Sequence, residues 1–504
     1  MSALAAVISL IILGTLAGCY RTLTSPLPLI GNLHQLQCRG WVRQSREWHK
    51  KYGPLVTLKL GQRTAVLIGN QEVANELLGK RGRIYSSRPH LTLAFEIMSK
   101  CDHTLFLPYG PKWRAHNRLH MSFLNPRAVR QYRAIQELES LETLHQLLTD
   151  DNHERLFKRF QTSLIHTLAY GTRITDAKDS RIKELEEVAR GFLEAVATGD
   201  WWVDSFPILK HVPSCFASWK RYADRIHWKT VKMNGANISA AEKGASWNWV
   251  KHVRGLKGVE TVSEHELVFV FGSIYQAGVD IMTSSLRLFL MACILHPEAV
   301  SAAQEELQRV LGNNRLPNFK DMDNLPFIDA FIKEVLRWRP LAAIGAPHSL
   351  TEEDSYLGFV FPKDTIILAN QFAMDMDRNA WSEPELFRPE RWIENPTRTL
   401  SSFGFGRRKC VGQYMAMDSL YIMITRILWA YDIKGGYKDS EGSRIGPWDF
   451  VEEGNVLIPK PFHVDLRIRD EQRRGIIQSA LAATEGSIDH LLAECGREIS
   501  KCFS

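Results

Sequence analysis

Alternating and helical patterns follow one another in blocks along the chain. Residues 55–69 mix apolar and polar positions in two runs, Leu55-Val56-Thr57-Leu58-Lys59-Leu60-Gly61 and Ala65-Val66-Leu67-Ile68-Gly69. That pattern, punctuated by glycine, predicts a β-hairpin. Helical spacing follows over residues 71–80. It dominates from about residue 125 to residue 338, broken at Pro207, Pro213, Pro297 and Pro317. Short extended pieces return over residues 358–369 and 456–468. The order of strands, many helices and strands again predicts one large mainly α domain with a small β region at one side. Residues 469–504 read as an amphipathic surface helix or a frayed end.

Two stretches are long and apolar. Residues 3–20 carry no charge and are followed by Arg21. Eighteen residues lie at the short end of what crosses a bilayer core. A cleaved signal peptide is the rival, but the basic segment that should precede its apolar core is missing. Arg21, Arg39, Arg43, Lys50 and Lys51 all follow the stretch, which keeps the bulk of the protein on the cytosolic side. The expected organisation is therefore an anchor at 1–20, a stiff Pro-containing hinge at 21–32, a catalytic domain at 33–468 and a tail at 469–504. The second stretch, residues 267–295, is interrupted by Gln276, Asp280 and Arg287. Charges within hydrocarbon are costly, so a buried central helix of about 44 Å is expected instead. Asp280 in its middle then needs a reason to be there.

Composition narrows the function. A chain of 504 residues, 45% hydrophobic, can bury a large core. The net charge of +7 is a modest excess of 63 basic over 56 acidic residues. No dense Lys/Arg block with interleaved aromatics points to nucleic acid. A basic docking face for an acidic protein partner, or for anionic lipid, fits the excess. The eight cysteines, at 19, 38, 101, 215, 293, 410, 495 and 502, form no C-x-x-C pair. Their spacing suits neither a zinc site nor a disulfide framework, so reduced thiols facing the cytosol are expected.

One cysteine stands in an unusual setting. Phe403-Gly404-Phe405-Gly406-Arg407-Arg408-Lys409-Cys410-Val411-Gly412 precedes a helical pattern over 413–428. Gly404 and Gly406 permit a tight turn, and Gly412 permits another just after the cysteine. Free N–H groups at a helix start, and three basic neighbours, favour a thiolate at Cys410. Such a thiolate is a soft axial ligand for iron. Phe403, Gly406, Arg408, Cys410 and Gly412 satisfy F-x-x-G-x-R-x-C-x-G at every fixed position. In this the chain resembles the cytochrome P-450 family. The resemblance implies that family's fold, haem b (iron protoporphyrin IX) held by Cys410 as metal ligand, and Arg408 paired with a haem propionate.

Other segments resemble the same family. Glu334-Val335-Leu336-Arg337 matches its E-x-x-R, although Glu187/Arg190, Glu306/Arg309, Glu385/Arg388 and Glu471/Arg474 match the bare spacing too. Context selects the first, which ends an amphipathic helix before Arg339-Pro340. Phe387-Arg388-Pro389-Glu390-Arg391-Trp392 supplies the P-E-R element, implying a buried structural triad of Glu334, Arg337 and Arg391. The resemblance also carries a propionate contact to His348 and an indole N–H donor to Trp113. The arginine usual four residues after that tryptophan is Asn117 here, which leaves His116 or Arg118 to replace the contact.

Ala277-Gly278-Val279-Asp280-Ile281 lies in the long apolar stretch and resembles A/G-G-x-D/E-T. Ala277 and Gly278 would leave room for oxygen, and Asp280 supplies the acid of a proton relay. The alcohol position is Ile281, which neither donates nor accepts a proton. Thr283 lies about 200° further round the helix and faces elsewhere. Three chemistries stay open: oxidation with protons from water or a substrate hydroxyl, radical coupling, and rearrangement of an oxidised substrate. A non-enzymatic haem sensor or carrier is the alternative from another class.

In the commonest form of the family, a membrane-bound NADPH–cytochrome P450 reductase supplies the electrons. Lys112, Arg114, Arg118, Arg407 and Lys409 form the candidate docking face. The expected substrate is a small apolar molecule met by Phe95, Leu105, Ile274, Leu341 and Val456. The expected protein is a monomer in the endoplasmic reticulum membrane, single-pass, with a cytosolic catalytic domain and a role in secondary metabolism. Phe206-Pro207, Val212-Pro213 and Trp219 resemble the membrane-dipping loop of fungal members.

Overall fold

The computed structural model describes residues 26–36, 40–196, 201–438, 442–484 and 488–501. The expected anchor at 1–20 and the first part of the hinge lie outside the described residues. The rest of the hinge lies against the protein. Lys59 N–H donates to Asn32 Oδ1 at 2.8 Å, and Asn32 N–H returns to the Lys59 carbonyl at 2.6 Å. Gly31 has φ +63°, and a Cβ there would fall 2.2 Å from the Lys59 carbonyl oxygen, so only glycine fits this approach.

Helix α1 (Trp41–Tyr52) leads into the hairpin β1 (Leu55–Leu60) and β2 (Arg63–Ile68). The main helices then follow: α2 (Pro111–Leu124), α3 (Arg133–Gln146), α4 (His153–Tyr170), α5 (Ser180–Ala195), α6 (Ser218–Lys243), α7 (Glu264–Leu295), α8 (Pro297–Leu311) and α9 (Pro326–Trp338). Beyond them come β3 (His348–Ser349), β4 (Asp354–Tyr356), β5 (Phe359–Phe361), β6 (Ile366–Ala369), α10 (Gln413–Ala430), β7 (Tyr431–Tyr437), β8 (Phe450–Glu453), β9 (Val456–Pro459) and β10 (His463–Ile468). The chain ends in α11 (Glu471–Ala482) and α12 (Ile488–Lys501). The largest sheet has order β1-β2-β6-β3, with β2 and β6 parallel and the other neighbours antiparallel.

Helix α7 is the expected central helix, mostly buried, and among the described residues it alone is long and apolar enough to cross a membrane. Its start is set by a capping box, in which Ser263 and Glu266 satisfy each other's backbone N–H groups. The helix runs through both large hydrophobic cores. Leu267 to Val279 pack with α2, α4, α5 and α6, whereas Met282 to Cys293 pack with α3, α8, α9 and α10. Helix α10 makes the same passage, with Met415 in the first core and Leu420 in the second.

The described part of the tail is helical, and each helix buries one face. Ile477 of α11 is buried in the second core, and Leu492, Cys495 and Ile499 of α12 are buried in the first. A Cβ at Gly496 would lie 2.6 Å from Trp247, so this glycine lets α12 seat on the indole.

Beneath the second core, Glu334 on α9 is fully buried. Its carboxylate accepts from Arg337 Nε and Nη2 at 2.8 and 2.7 Å, and from Arg391 Nε at 3.1 Å. It also accepts from Trp392 Nε1 at 3.0 Å and the Arg388 N–H at 2.9 Å. Arg337 spends its remaining donors on the carbonyls of Asp375 and Pro384, both at 2.9 Å, and Leu386 at 3.2 Å. The other E-x-x-R matches differ in setting, as Glu471–Arg474 at 3.1 Å shows, with Glu471 82% exposed. Replacing Glu334 by Gln strands two buried guanidinium groups. We expect unfolding in denaturant to show a loss of about 3–5 kcal/mol. Wild-type stability in that variant would remove the triad from its structural role.

Candidate active site

The cysteine loop is shaped by what it lies on. Gly404 and Gly406 have φ +71° and +57°, and a Cβ at Gly406 would fall 1.9 Å from the Leu78 carbonyl oxygen. The loop therefore rests on the π-helical turn Asn75–Lys80, with glycine obligatory at the closest approach. Below, Ser401 Oγ donates to Asp375 Oδ2 at 2.8 Å and Ser402 Oγ donates to the Leu336 carbonyl at 3.1 Å. Cys410 N–H donates to the Phe403 carbonyl at 2.8 Å, closing the turn, and α10 starts three residues later.

Gly412 corrects the sequence reading. Its φ is −84°, so it makes no special turn. A Cβ there would reach 3.9 Å from Cys410 Sγ, and the Gly412 N–H donates to the sulfur. The three basic neighbours differ as well. Arg407 turns out to the Tyr109 hydroxyl, and Arg408 turns away to the Ser86 and Leu107 carbonyls at 2.8 and 2.6 Å. Burial pushes the Cys410 thiol above its ordinary pKa, opposed by the Gly412 N–H and, among the basic neighbours, by Lys409 alone. The protein alone thus favours the thiol, and a coordinated metal ion would deprotonate it.

Cys410 presents an accessible surface at the end of the loop, just before α10. A second open face lies on α7. Ala277 and Ile281 are exposed, Ile281 to 37%, in a helix otherwise buried, and Ile274 and Gly278 are half-buried beside them. These positions fall between the residues α7 gives to the two cores, so the accessible stripe marks a recess at the seam where α10 also crosses.

Details on α7 refine the expected relay. A Cβ at Gly278 would come 2.5 Å from Ile165 Cδ1, so this glycine serves the packing of α4 and leaves Ala277 to keep the recess open. Asp280 Oδ1 stands 3.8 Å from Lys158 Nζ, which also binds Glu186 at 2.6 Å. Burial raises the Asp280 pKa, with Lys158 opposing it. Thr283 is buried and donates to the Val279 carbonyl at 2.8 Å, closed to the recess as expected.

The expected haem contacts divide into two groups. Arg408 lies over the Trp113 ring at 4.3 Å, joining α2 to the cysteine loop. His348 on β3 directs Nδ1 to the Tyr85 carbonyl at 2.8 Å. Burial, with Arg88 and Arg408 nearby, holds its pKa well below the ordinary value. His116 and Arg118 lie elsewhere. His116 is fully buried between Thr104 Oγ1 at 3.0 Å and Glu266 Oε1 at 3.4 Å, while Arg118 is exposed near Gly258.

The structure adds Arg88, which donates to the carbonyls of Leu105, Ala346 and Pro347 at 3.0, 2.8 and 2.6 Å. No periodicity or motif marked it, because its partners are distant in sequence. Arg408 and Arg88 form no ion pair with a carboxylate among the described residues. Half-buried cations without a carboxylate partner among the described residues, one of them on the cysteine loop itself, fit a ligand that brings both a metal and carboxylates, as haem does.

Of the expected pocket residues, Ile274 borders the open stripe. Leu105 is 40% exposed, and its carbonyl holds Arg88. Leu341 is buried and bonded to Leu457 N–H at 2.8 Å, next to half-buried Val456 on β9, which approaches α7. Phe95 is buried in the first core with its ring edge-on to His90. Of the expected docking residues, Arg114, Arg118, Arg407 and Lys409 are exposed, while Lys112 is paired with Asp102 and stands 3.4 Å from Glu266.

Comparison with known proteins agrees with this geometry. The Cytochrome P450 family model matches residues 22–463. The cytochrome P450 monooxygenase aneD of Aspergillus aculeatus is 42% identical over 472 residues, covering 93% of this chain and 92% of that protein. The cytochrome P450 monooxygenase drtD of Aspergillus calidoustus is 43% identical over 464 residues, 92% of this chain and 88% of that one. The cytochrome P450 monooxygenase astF of Aspergillus oryzae is 38% identical over 499 residues, 98% and 95% of the two chains. With the thiol loop, the buried Glu–Arg–Arg triad and a match over most of its length, this chain belongs to the cytochrome P450 family.

Proposed function

We propose that the protein is a haem-thiolate monooxygenase that oxidises a small apolar molecule with O2 and NADPH-derived electrons in secondary metabolism. The observation that carries this reading is the accessible Cys410 thiol, held by a glycine loop at the start of α10, the helix that packs on α7. Bound haem supplies the oxygen activation and electron transfer. Cys410 would hold its iron, and Arg408, Trp113 and His348 would hold the group in place.

The chain's own residues then govern access and protons. Ala277, Ile274 and Ile281 present an apolar wall that favours an apolar substrate and excludes water. Asp280 holds a proton more firmly than an ordinary carboxyl, and Lys158 and Glu186 connect it to the outside. The position where the family pattern has an alcohol is Ile281, which is exposed and can neither donate nor accept a proton. This specific feature favours a second reading, in which the enzyme couples or rearranges its substrate without oxygen insertion.

The exposed basic residues beside the cysteine loop suit an acidic flavoprotein, the NADPH–cytochrome P450 reductase. Trp202, Ile208 and Phe216 are exposed, and Leu27 and Leu29 are exposed on the lead-in that meets the same region at Gly61. This side supports contact with the endoplasmic reticulum membrane, with a single anchor, a cytosolic catalytic domain and a monomeric protein.

Two measurements test the reading. In the dithionite-reduced protein, carbon monoxide should give a strongly red-shifted Soret band, which Cys410→Ser abolishes together with turnover. An unshifted band from intact wild-type protein would overturn thiolate ligation. Ile281→Thr should raise the fraction of NADPH consumption that appears as product if proton supply limits oxygen insertion. Unchanged coupling in that variant would favour the coupling or rearrangement chemistry.

A further inference from the structure

The assembly beneath the cysteine loop buries two carboxylates, and the protein serves them unequally. Glu334 accepts from five donors, three of them on guanidinium groups. Asp375, at the end of the short helix Gln371–Asp375, is 2% exposed. Among the described residues its carboxylate accepts from one donor, Ser401 Oγ at 2.8 Å. Arg337 lies close, but its Nη1 is committed to the Asp375 carbonyl at 2.9 Å and its Nη2 to Glu334. The neighbouring elements do not make up the difference. On α1, which packs against this helix, Arg46 is paired with Glu385 at 2.7 Å, and burial lowers the His49 pKa to about 4 and leaves it neutral. Half-buried Asp377, two residues further on, carries the same sign as Asp375.

A buried carboxylate with a single hydroxyl donor is costly in its charged form. Burial accordingly raises the Asp375 pKa to about 7, Glu334 adds to the rise, and Ser401 and Arg337 oppose it. The bond to Ser401 depends on which form is present. A carboxylate receives a charge-assisted bond, roughly twice as strong as the neutral bond a protonated carboxyl receives. From Ser401 the tie runs on into the loop. The Ser401 carbonyl accepts from the Gly404 N–H at 2.8 Å, and the Phe403 carbonyl accepts from the Cys410 N–H at 2.8 Å.

We infer that Asp375 is a positioning residue whose ionised carboxylate, acting through Ser401, seats the cysteine loop for thiolate ligation. This rests on the haem-thiolate reading above. The tie is firm above about pH 7 and slackens below it. Global stability moves the other way. The folded pKa lies above the ordinary 3.8, so the contribution of Asp375 to stability is largest at low pH and is lost as pH rises to about 7. Opposite trends separate positioning of the loop from plain support of the fold.

The test follows the carbon monoxide band of the dithionite-reduced holoprotein on both sides of neutrality, beside unfolding in denaturant. In the wild type, conversion of the red-shifted band to an unshifted one should slow about fivefold as pH rises through neutrality. Asp375→Asn, which is neutral at every pH, should convert at the fast rate throughout. Above neutrality it should unfold no more readily than the wild type, because a buried charge has been removed. Ser401→Ala should give the same flat profile, and Ser401→Thr, which keeps the hydroxyl, should restore the slope. A flat wild-type profile, or a wild-type slope in Asp375→Asn, would overturn the assignment. So would a loss of unfolding stability in Asp375→Asn that matches its loss of the band. Should Asp375→Asn not fold, a wild-type slope in Ser401→Ala overturns the assignment and a flat profile supports it. Absence of the red-shifted band in the wild type would bring down the haem-thiolate reading itself, and this inference with it.

Discussion

A carboxylate with no access to solvent must be satisfied by protein donors, and Glu334 is satisfied by groups from two parts of the chain. Arg337 is its neighbour on the same helix, whereas Arg391, Trp392 and the Arg388 N–H come from beyond residue 387. Meeting that requirement draws residues 375–392 against α9, since Arg337 also binds the carbonyls of Asp375, Pro384 and Leu386. The cysteine loop is fastened to the same assembly through Ser401 to Asp375 and Ser402 to the Leu336 carbonyl. The position of the thiol is therefore inherited from a buried ionic network that never touches it. Removing one partner exposes the others to the full penalty of an unpaired buried charge, which is why such a network fixes geometry more reliably than it adds stability.

On the other side of the site, the constraint is one of packing. Two hydrophobic cores share α7 and α10 but do not merge, and the seam between them leaves Ala277 and Ile281 open within the protein. A recess at a seam needs no missing side chain to create it; it follows from two close-packed bodies meeting along crossed helices. Gly278 contributes by letting α4 approach through Ile165, and Gly406 by letting the loop approach Leu78. Gly406 admits another backbone, whereas Gly278 admits the Ile165 side chain.

Much of this was legible in the sequence where the signal is local. The hairpin at 55–68, the long central helix, the cysteine loop and the Glu334–Arg337 pair all express themselves within a few turns or strands of chain. Residues whose role depends on distant partners were misread or missed. His116 shares a helix face with Trp113, yet Thr104 and Glu266 claim it. Arg118 on the same helix faces outward. Arg88 gave no signal, because its partners at 105, 346 and 347 are set by the fold and not by spacing. Lys112 was taken for a free docking charge, whereas Asp102 neutralises much of it. The tail was read from its amphipathicity alone, and the face that it buries was supplied by Trp247 and the first core.

The sequence by itself determined the elements, the candidate cysteine and the family, because periodicity, turn glycines and a contiguous motif are properties of neighbours along the chain. Tertiary structure alone decided which side chains gather around the recess and which charges remain unpaired there. Side-chain direction, burial and the sharing of a carboxylate depend on contacts between segments hundreds of residues apart, such as Ser86 with Arg408. In a medium that screens poorly, those contacts rather than residue type set whether a charge is spent on the fold or left for a ligand.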